Sequence, residues 1–272
     1  MIGGLHKWGR GGAPMKGTTV AKDKYFNINE QGFSVRCKLY SADNARNFDN
    51  VVIATYGFGG NKDNNAVAKF AERITSKYAS YAVLTFDWPA HGNDGRKRLS
   101  ATESMTYLQL AIEYARTELG AQQLFYYSTS YGGYIGLRYL IEVGNPFERI
   151  ALRCPALDLY SIMMKGFDQS QLDALARGKK VLRGFDRKME IDQEFLDDLR
   201  EHDVREYQYF DYAEQILVLH GNKDDMVPCE DSRVFCDDNV IEFLEVDRAD
   251  HPFSNPQTMD FAIGEIVKFL KP

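Results

Sequence analysis

The stretch Leu124-Phe-Tyr-Tyr-Ser-Thr-Ser130-Tyr-Gly-Gly133 carries most of the information about the fold. A hydrophobic run typical of a strand leads directly into a serine flanked by small residues, and a helical pattern begins at once. This is the order of the nucleophile elbow, G-x-S-x-G, whose turn is so sharp that the positions two before and two after the nucleophile must be small. Ser128 and Gly132 meet that requirement around Ser130. The stretch therefore predicts Ser130 to be a nucleophile between a strand and a helix.

Two other interpretations of these serines must be weighed. If Ser128 were the nucleophile, Tyr126 would occupy one of the crowded positions, which makes Ser128 a poor candidate. Ser130 could also be no more than a helix cap, because serine is common at that position. An elbow serine, in contrast, would stand at the carboxyl end of the sheet, above a helix N-terminus whose unpaired N–H groups favour a developing negative charge. Residues elsewhere in the chain are needed to decide.

Outside this stretch, short β-rich runs alternate with longer helical runs from about Lys24 onward. Such alternation is typical of a mostly parallel sheet covered by helices. At 272 residues the chain is within the size of one such domain. We therefore predict an α/β fold with a mostly parallel central sheet flanked by helices. The predicted strands are 51–56, 81–86, 123–127, 150–154, 216–220 and 241–246, and the predicted helices are 65–77, 101–119 (capped by Thr102 or Ser100), 131–143 and 258–270, after a hairpin over 25–40.

Residues 156–212 interrupt this alternation. The segment mixes apolar side chains with many charges, and it is too long for an ordinary connection inside a compact domain. We predict a helical insertion, and its position favours a cap (lid) over the site rather than a surface excursion that only adds bulk. The core would then comprise residues 23–155 and 213–272. Residues 1–22 are rich in glycine and are expected to be a loose N-terminal tail unless they dock on the body.

The composition argues against some classes of partner and cofactor. A formal net charge of -6 argues against nucleic acid, because phosphate binding needs a net basic face. The four cysteines are too widely spread for the paired ligands of a zinc site, and Cys37 and Cys154 fall in predicted strands. No metal or organic cofactor is expected. Neither a secretory signal nor a run of about 18 apolar residues is evident, so we expect a soluble, cytoplasmic protein without stable membrane insertion.

A histidine base for Ser130 can be identified by chain order. Enzymes with this elbow carry their triad in the order Ser, acid, His. Of the five histidines, four precede the predicted acid and only His251 follows it. His251 lies in a loop just after the last predicted strand. An ordinary exposed loop histidine is the alternative, and the order and placement of His251 favour the base.

The acid is expected in the loop after the preceding strand, in Leu217-Val-Leu-His-Gly-Asn-Lys-Asp224-Asp-Met-Val-Pro228. Gly221 allows the strand to turn into this loop. Asp224 is the candidate acid, Asp225 is its neighbouring competitor, and Asp250 is a third carboxylate that could serve. His220 in the same turn is expected to be structural.

Two backbone N–H groups are candidates for an oxyanion hole, where each donor typically stabilises a transition state by a few kcal/mol. One belongs to Tyr131, which follows the nucleophile. The other belongs to Phe58 in Tyr56-Gly-Phe-Gly-Gly60, whose glycines let the backbone approach a substrate closely. A plain glycine-rich turn is the alternative. A phosphate loop is disfavoured because the G-K-[ST] ending is absent.

Five motifs in order resemble those of bacterial α/β-hydrolases, over about Tyr25 to the C-terminus. Within that superfamily the chain is similar to cinnamoyl (feruloyl) esterases and monoacylglycerol-lipase-like carboxylesterases. The spacing of Asp224 from His220-Gly221 matches the family pattern, which places Asp224 ahead of Asp225. Two departures are Tyr56, where His is common, and Ser128, where Gly is usual. The motifs are Phe58-Gly-Gly-Asn-Lys62, Phe86-Asp-Trp-Pro-Ala-His-Gly92, the Ser130 elbow, His220-Gly-Asn-Lys-Asp224 and Ala249-Asp-His251.

The resemblance implies a serine hydrolase, and the apolar residues of the predicted cap suggest that the enzyme holds the acyl or aryl group of a small to medium carboxylic ester. Ser130 would attack the carbonyl, His251 would take its proton and Asp224 would hold the imidazole, and water would then release the acyl group. A thioesterase, acyltransferase, peptidase or carbon–carbon bond hydrolase on the same fold stays open. A catalytically silent ligand-binding protein and an interaction scaffold are further alternatives. A homodimer is also possible for any of these functions. Three candidate substrate-binding residues lie in the insertion, at Met163, Met164 and Phe167. Packing within the core of the cap would explain their apolar character equally well.

Overall fold

The computed structural model describes residues 22–42 and 48–271. The tail expected over residues 1–22 lies outside these ranges except for Lys22. Within the ranges, no helix is both long and apolar enough to span a bilayer.

Strands and helices alternate along the described chain as the sequence predicts. The strands are β1 (Lys22–Glu30), β2 (Phe33–Ser41), β3 (Asn50–Ala54), β4 (Tyr81–Phe86), β5 (Gln123–Thr129), β6 (Arg149–Arg153), β7 (Val181–Arg183), β8 (Met189–Ile191), β9 (Ile216–Gly221) and β10 (Glu242–Val246). The helices are α1 (Asn65–Lys77), α2 (Ala101–Thr117), α3 (Tyr131–Glu142), α4 (Leu159–Lys165), α5 (Gln169–Ala176), α6 (Gln193–Glu201), α7 (Cys229–Asn239) and α8 (Pro256–Phe269).

Eight of these strands form one sheet in the order β1-β2-β4-β3-β5-β6-β9-β10. β1 pairs antiparallel with β2, and β2 pairs antiparallel with β4. Every other pair in the sheet is parallel. The predicted mostly parallel central sheet is therefore confirmed. The carboxyl ends of β3, β5, β6 and β9 meet at one edge, because parallel strands point the same way.

Helices cover both faces of the sheet, and the pleat of the strands explains how. Side chains alternate between faces along a strand. In β3, Val51 and Ile53 join a core with residues of α2, α3 and α7, whereas Val52 and Ala54 join a core with residues of α1 and α8. A strand buried on both faces has no polar side to alternate with, which is why 51–54 is an unbroken apolar run.

Some boundaries differ from those predicted. β5 continues through Thr129, so the strand runs directly up to Ser130. The side chain of Ser100, rather than Thr102, caps α2 by accepting a hydrogen bond from the N–H of Glu103. Cys154 follows β6 rather than lying in it. Helix α7 was not predicted, because only four of its eleven residues are buried and its apolar periodicity is weak.

Residues 156–212 lie between β6 and β9 and hold α4, α5 and α6. They are not only helical, because β7 and β8 form an antiparallel hairpin within them. Gly184 begins its connecting loop at φ 126°, and a Cβ atom there would collide with the carbonyl oxygen of Arg187. The insertion is tied to the core by ion pairs, of Arg98 with Asp192 and of Arg138 with Asp198.

Candidate active site

Ser130 occupies the turn between β5 and α3 in a conformation that few serines adopt. Its φ is 53° and its ψ is -115°. A non-glycine residue at positive φ is strained by roughly 1–3 kcal/mol, and such strain persists only where the surroundings enforce it. Here the N–H of Ser130 donates to the carbonyl oxygen of Arg153 on β6, and its own carbonyl oxygen accepts from the N–H of Gly133. The geometry is that of the predicted elbow.

The small residues around Ser130 are required by neighbouring atoms. A Cβ atom on Gly132 would lie 3.1 Å from the carbonyl oxygen of Tyr56 and 3.3 Å from Cβ of Ser128, and would collide with the hydroxyl of Thr55. These distances explain why both positions, two residues before and after the serine, hold small side chains. On the other side, Gly57 lies directly against the side chain of Ser130. The turn after β3 is therefore in contact with the elbow.

Asp224 is a buried carboxylate with four donors. Its Oδ1 accepts from the N–H groups of Met226 at 2.9 Å and Val227 at 2.8 Å. Its Oδ2 accepts from Nδ1 of His251 at 2.6 Å and from Nε2 of His220 at 3.0 Å. Burial by itself would raise the pKa of Asp224, but the hydrogen bonds from the two histidines hold it well below the usual range. Asp224 is therefore ionised.

The competing carboxylates do not take this position. Asp225 is exposed. Asp250 accepts a hydrogen bond at 2.7 Å from the N–H of Ser254 and so stabilises its own loop. Of the three candidate acids, the structure pairs Asp224 with His251.

His251 is held in place by its loop as well as by Asp224. The residue is buried, and the loop has residues of positive φ on both sides of it, Arg248 at 59° and Phe253 at 58°. The buried guanidinium of Arg153 donates to the carbonyl oxygen of Pro252 at 3.0 Å and lies 4.9 Å from the centroid of the Phe253 ring. Because Nδ1 faces a carboxylate, Nδ1 carries a proton and Nε2 is left to accept one.

Ser130 and His251 are not hydrogen-bonded to each other in this structure. Neither Oγ of Ser130 nor Nε2 of His251 has a hydrogen-bond partner within residues 22–42 and 48–271. The structure therefore joins His251 to Asp224 directly and leaves the serine hydroxyl unpaired.

Two N–H groups near Ser130 are also without an acceptor in the described part of the chain, those of Phe58 and Tyr131. Tyr131 is the first residue of α3, where the helix leaves N–H groups unpaired. Phe58 follows Gly57, which is in contact with Ser130. Both groups are thus available to a ligand beside the serine.

Tyr56, which stands where the resembling family commonly has histidine, anchors the turn that carries Phe58. Its hydroxyl accepts from the N–H of Trp88 at 3.1 Å, and its carbonyl oxygen accepts from Nε1 of Trp88 at 3.2 Å. The same hydroxyl lies 3.3 Å from Asp87. A buried ion pair of 3.1 Å between Lys62 and Asp87 holds the far end of the turn. This pair was not predicted, because its members are 25 residues apart in the chain.

His91 lies between Phe58 and Tyr131, whose N–H groups are the candidate oxyanion donors. Its ring stacks on Tyr131 with centroids 5.9 Å apart and meets Phe58 edge-on at 5.9 Å. Its Nδ1 lies 3.0 Å from the carbonyl oxygen of Pro89, and burial lowers the pKa of His91 to about 4. A neutral, packed imidazole agrees with the structural role expected for it.

The three predicted substrate-binding residues lie in the packing of the insertion. Met163 and Phe167 are buried and Met164 is half-buried against the same core. Phe185, in the loop between β7 and β8, was not among the residues predicted to bind substrate. Its ring lies against Gly59, in the turn after β3, and 70% of the residue is exposed. An aromatic residue within the charged run Arg183-Gly-Phe-Asp-Arg187 was the only available signal.

Cys154, His220 and Asp224 are close enough together to be considered as metal ligands, with one ligand atom each within 4.8 Å of the others. The carboxylate already accepts four hydrogen bonds, and both ring nitrogens of His220 have hydrogen-bond partners. The donor set is therefore that of a hydrogen-bonded network around an acid.

Comparison with known proteins agrees with this architecture. Est1E from Butyrivibrio proteoclasticus, in a structure with bound ferulic acid, has a TM-score of 0.72 at 17% identity, over 90% of this chain and 97% of its own. A monoacylglycerol lipase from Paleococcus ferrophilus has a TM-score of 0.64 at 20% identity, over 87% and 98%. At these identities the similarity is one of fold. No curated protein sequence matches the chain significantly. The family model of the alpha/beta hydrolase fold matches residues 50–189, which are 140 of the 272 residues, and the chain belongs to that family.

Proposed function

We propose that the protein is a serine hydrolase that cleaves carboxylic esters through an acyl-enzyme intermediate. The observation that carries the proposal is the 2.6 Å hydrogen bond between His251 and Asp224, in the same fold as Ser130 on a strained elbow. The base is thereby oriented by an acid, as nucleophilic catalysis by serine requires. No other described histidine both follows Ser130 in the chain and lies after the last strand of the sheet.

In the proposed reaction, Ser130 Oγ attacks the ester carbonyl as Nε2 of His251 takes the hydroxyl proton. The imidazolium that forms is stabilised by the ionised Asp224, and its Nε2–H then protonates the departing alcohol. Water enters, is deprotonated by the same Nε2 and attacks the acyl-enzyme, which releases the carboxylic acid and restores Ser130. The Oγ–Nε2 hydrogen bond would form as substrate binds, since catalytic hydrogen bonds often tighten only in the complex with substrate.

The oxyanion of each tetrahedral intermediate would be bound by the N–H groups of Phe58 and Tyr131. Neither group has an acceptor among the residues that the structure describes, and that of Tyr131 is at the positive end of the α3 dipole. The Lys62–Asp87 pair and Tyr56 support the proposal by fixing the turn that carries Phe58. A fixed turn requires no reorganisation during the reaction. Oxyanion stabilisation is strong because the donors are already in position when the charge develops.

We further propose that residues 156–212 act as a cap that holds the acyl or aryl part of a small-molecule ester. Contact of the Phe185 ring with Gly59 brings this insertion to the turn next to the proposed oxyanion donors. Met163, Met164 and Phe167 would support the cap from within. Ferulic acid bound to Est1E is an aryl acid on a similar fold, which favours aryl esters for the first assays. A cytoplasmic location fits the four free cysteines at Cys37, Cys154, Cys229 and Cys236.

The test is hydrolysis of p-nitrophenyl and hydroxycinnamoyl esters of increasing acyl length by the wild type, Ser130→Ala and Ser128→Ala. Ser128 is the matched control, because it is a serine of the same elbow, in β5 and two residues before the proposed nucleophile. We expect Ser130→Ala to fall to background and Ser128→Ala to keep most of the activity. A fluorophosphonate probe should label the wild type at Ser130, as peptide mass spectrometry would show.

Equal turnover by Ser130→Ala and the wild type would contradict the proposal. So would loss of labelling and turnover in Ser128→Ala alone. If the probe labels Ser130 but no oxygen ester is cleaved, thioesters of the same acyl groups become the next substrates, and the ester specificity would be wrong while the nucleophile stands.

A further inference from the structure

Behind Asp224, two side chains form a second hydrogen-bonded chain that the proposed triad does not include. His220, at the end of β9, has its Nε2 3.0 Å from Oδ2 of Asp224 and 3.1 Å from the carbonyl oxygen of Val227. Its Nδ1 is 2.8 Å from Oγ of Ser232 on α7. Both His220 and Ser232 are fully buried. The chain runs Ser232–His220–Asp224–His251, and every step is a hydrogen bond.

The surroundings decide which nitrogen of His220 carries the proton. Nε2 faces only acceptors, a carboxylate and a carbonyl oxygen, so it must be N–H. Oγ of Ser232 makes no other hydrogen bond in the described part of the chain, so its proton must go to Nδ1 if a buried polar group is not to be left unpaired. The ring is therefore neutral, with its proton on Nε2.

This tautomer has a consequence for Asp224. Oδ2 receives an N–H from each imidazole, and Oδ1 receives two backbone N–H groups. A carboxylate has about four sites for hydrogen bonds, so all are occupied and the group cannot rotate without breaking one. The hydrogen bond from His220 also partly neutralises the negative charge of Asp224, which weakens the electrostatic attraction between Asp224 and His251.

We propose that His220 is a positioning residue for the reaction. Its Nε2–H, set by Ser232, holds Oδ2 of Asp224 against Nδ1 of His251 and moderates the basicity of His251. The statement about the reaction rests on the proposed function, whereas the tautomer and its effect on His251 do not.

Other titratable groups that face this network are thiols and one carboxyl. Cys154, after β6, offers its sulfur within 4.8 Å of His220 and Asp224, and burial raises its pKa far above neutrality. Burial raises the pKa of Cys229, at the start of α7, to about 11. Asp231, also on α7, interacts with His220, and burial raises the pKa of its carboxyl.

The experiment compares His220→Gln with His220→Asn. The glutamine amide can reach the position of Nε2 and donate to Asp224, whereas the asparagine amide is one methylene shorter and reaches only the position of Nδ1, beside Ser232. Nitrogen-15 NMR of histidine-labelled protein would report the tautomer of His220 and the pKa of His251. kcat/KM for the best ester would be measured over the same pH range. His202→Gln, in the insertion, is the control.

We expect the wild type to show the proton of His220 on Nε2. In His220→Asn, Asp224 loses a donor and attracts the imidazolium more strongly, so the pKa of His251 should rise by roughly 0.5–1 unit. The acid limb of the kcat/KM profile should move up with it, and the plateau should fall about tenfold, as expected for loss of one hydrogen bond to a charged group. His220→Gln and His202→Gln should resemble the wild type.

A His220 proton on Nδ1, or the same His251 pKa in the Asn and Gln variants, would overturn the proposal. If His220→Asn does not fold, Ser232→Ala takes its place, because it removes only a hydroxyl. It should raise the pKa of His251 in the same direction by a smaller amount, and no change would be contrary evidence. If no ester is turned over by the wild type, the proposed function fails, while the NMR measurements still test His220.

Discussion

A Cβ atom on Gly57 would lie 3.0 Å from Cβ of Ser130, so the turn after β3 and the elbow after β5 are packed without room for a methyl group. This contact joins two segments that the proposed chemistry needs together, the nucleophile and the strand end that leads to Phe58. The 3.0 Å distance from that added Cβ atom would be shorter than an ordinary van der Waals contact. One of the two segments must shift if a methyl group is added.

We therefore expect Gly57→Ala to lower kcat for ester hydrolysis by about tenfold or more, since misplacement of reacting groups by about 1 Å is costly in rate. Gly95→Ala is the control, because no atom of the described residues lies within 4 Å of a Cβ atom at Gly95. Steady-state kinetics and thermal unfolding of both variants provide the check. Undiminished kcat in Gly57→Ala would show that the turn yields without disturbing the site.

Asp224→Asn should lower kcat by about 10³–10⁴-fold, because the amide cannot stabilise the imidazolium and favours the wrong tautomer of His251. Asp225→Asn is the matched control, being an exposed neighbour outside the hydrogen-bonded network. Ester hydrolysis and the rate of fluorophosphonate labelling should both show the difference. Similar rates for the two variants would mean that Asp224 does not orient the base.

The buried His91 should make stability depend on pH. Its pKa is about 4 in the folded protein, against about 6.5 in an unfolded chain. The unfolded chain therefore binds the proton more readily between these values. Above about pH 6.5 the neutral ring makes its full contribution to the free energy of unfolding. That free energy falls by on the order of 3 kcal/mol as the pH is lowered to about 4.

Urea denaturation of the wild type and His91→Asn from pH 7.5 to 4.5 would isolate this effect. The asparagine amide can still donate to the carbonyl oxygen of Pro89 but does not titrate. The difference in the free energy of unfolding should shrink as the pH falls. Parallel curves for the two proteins would show that His91 has an ordinary pKa.

Phe185→Ala should raise KM for hydroxycinnamoyl esters about fivefold to tenfold, as loss of an aromatic contact implies, with little effect on p-nitrophenyl acetate. The reason is that Phe185, exposed and lying on Gly59, is the aromatic side chain by which the insertion reaches the turn. Leu182→Ala, exposed on β7 of the same hairpin, controls for general loosening. Equal changes in KM for both esters would remove Phe185 from substrate binding.

The parts that sequence analysis predicted correctly are those whose physical cause is local. The elbow could be recognised because a buried strand, a sharp turn and a helix occupy ten consecutive residues, with small side chains where the turn is crowded. The strand and helix order followed from apolar periodicity, which fails only where few residues are buried, as in α7. The hairpin β7–β8 was missed because two three-residue strands are too short to show a period.

Contacts between distant residues could not be predicted from local patterns. Ser100 rather than Thr102 capping α2 is decided by backbone geometry, and the Lys62–Asp87 pair joins separate loops. His220 was predicted to be structural in the turn before the acid, but its bond to Ser232 depends on how α7 packs against β9. Chain order selected His251 as the candidate base, and the motif spacing shared with the resembling family favoured Asp224 as the acid, without a distance between them.

The sequence by itself determined the alternation of strands and helices, the elbow at Ser130 and the order of the candidate acid and base, because each is encoded by neighbouring residues or by their order. Only the tertiary structure decided that Asp224 rather than Asp225 or Asp250 meets His251, that His220 shares its carboxylate, and that Phe185 reaches Gly59. These contacts join segments brought together at one edge of the sheet, where the parallel strands end. Burial there leaves each polar group dependent on a partner that no local pattern specifies.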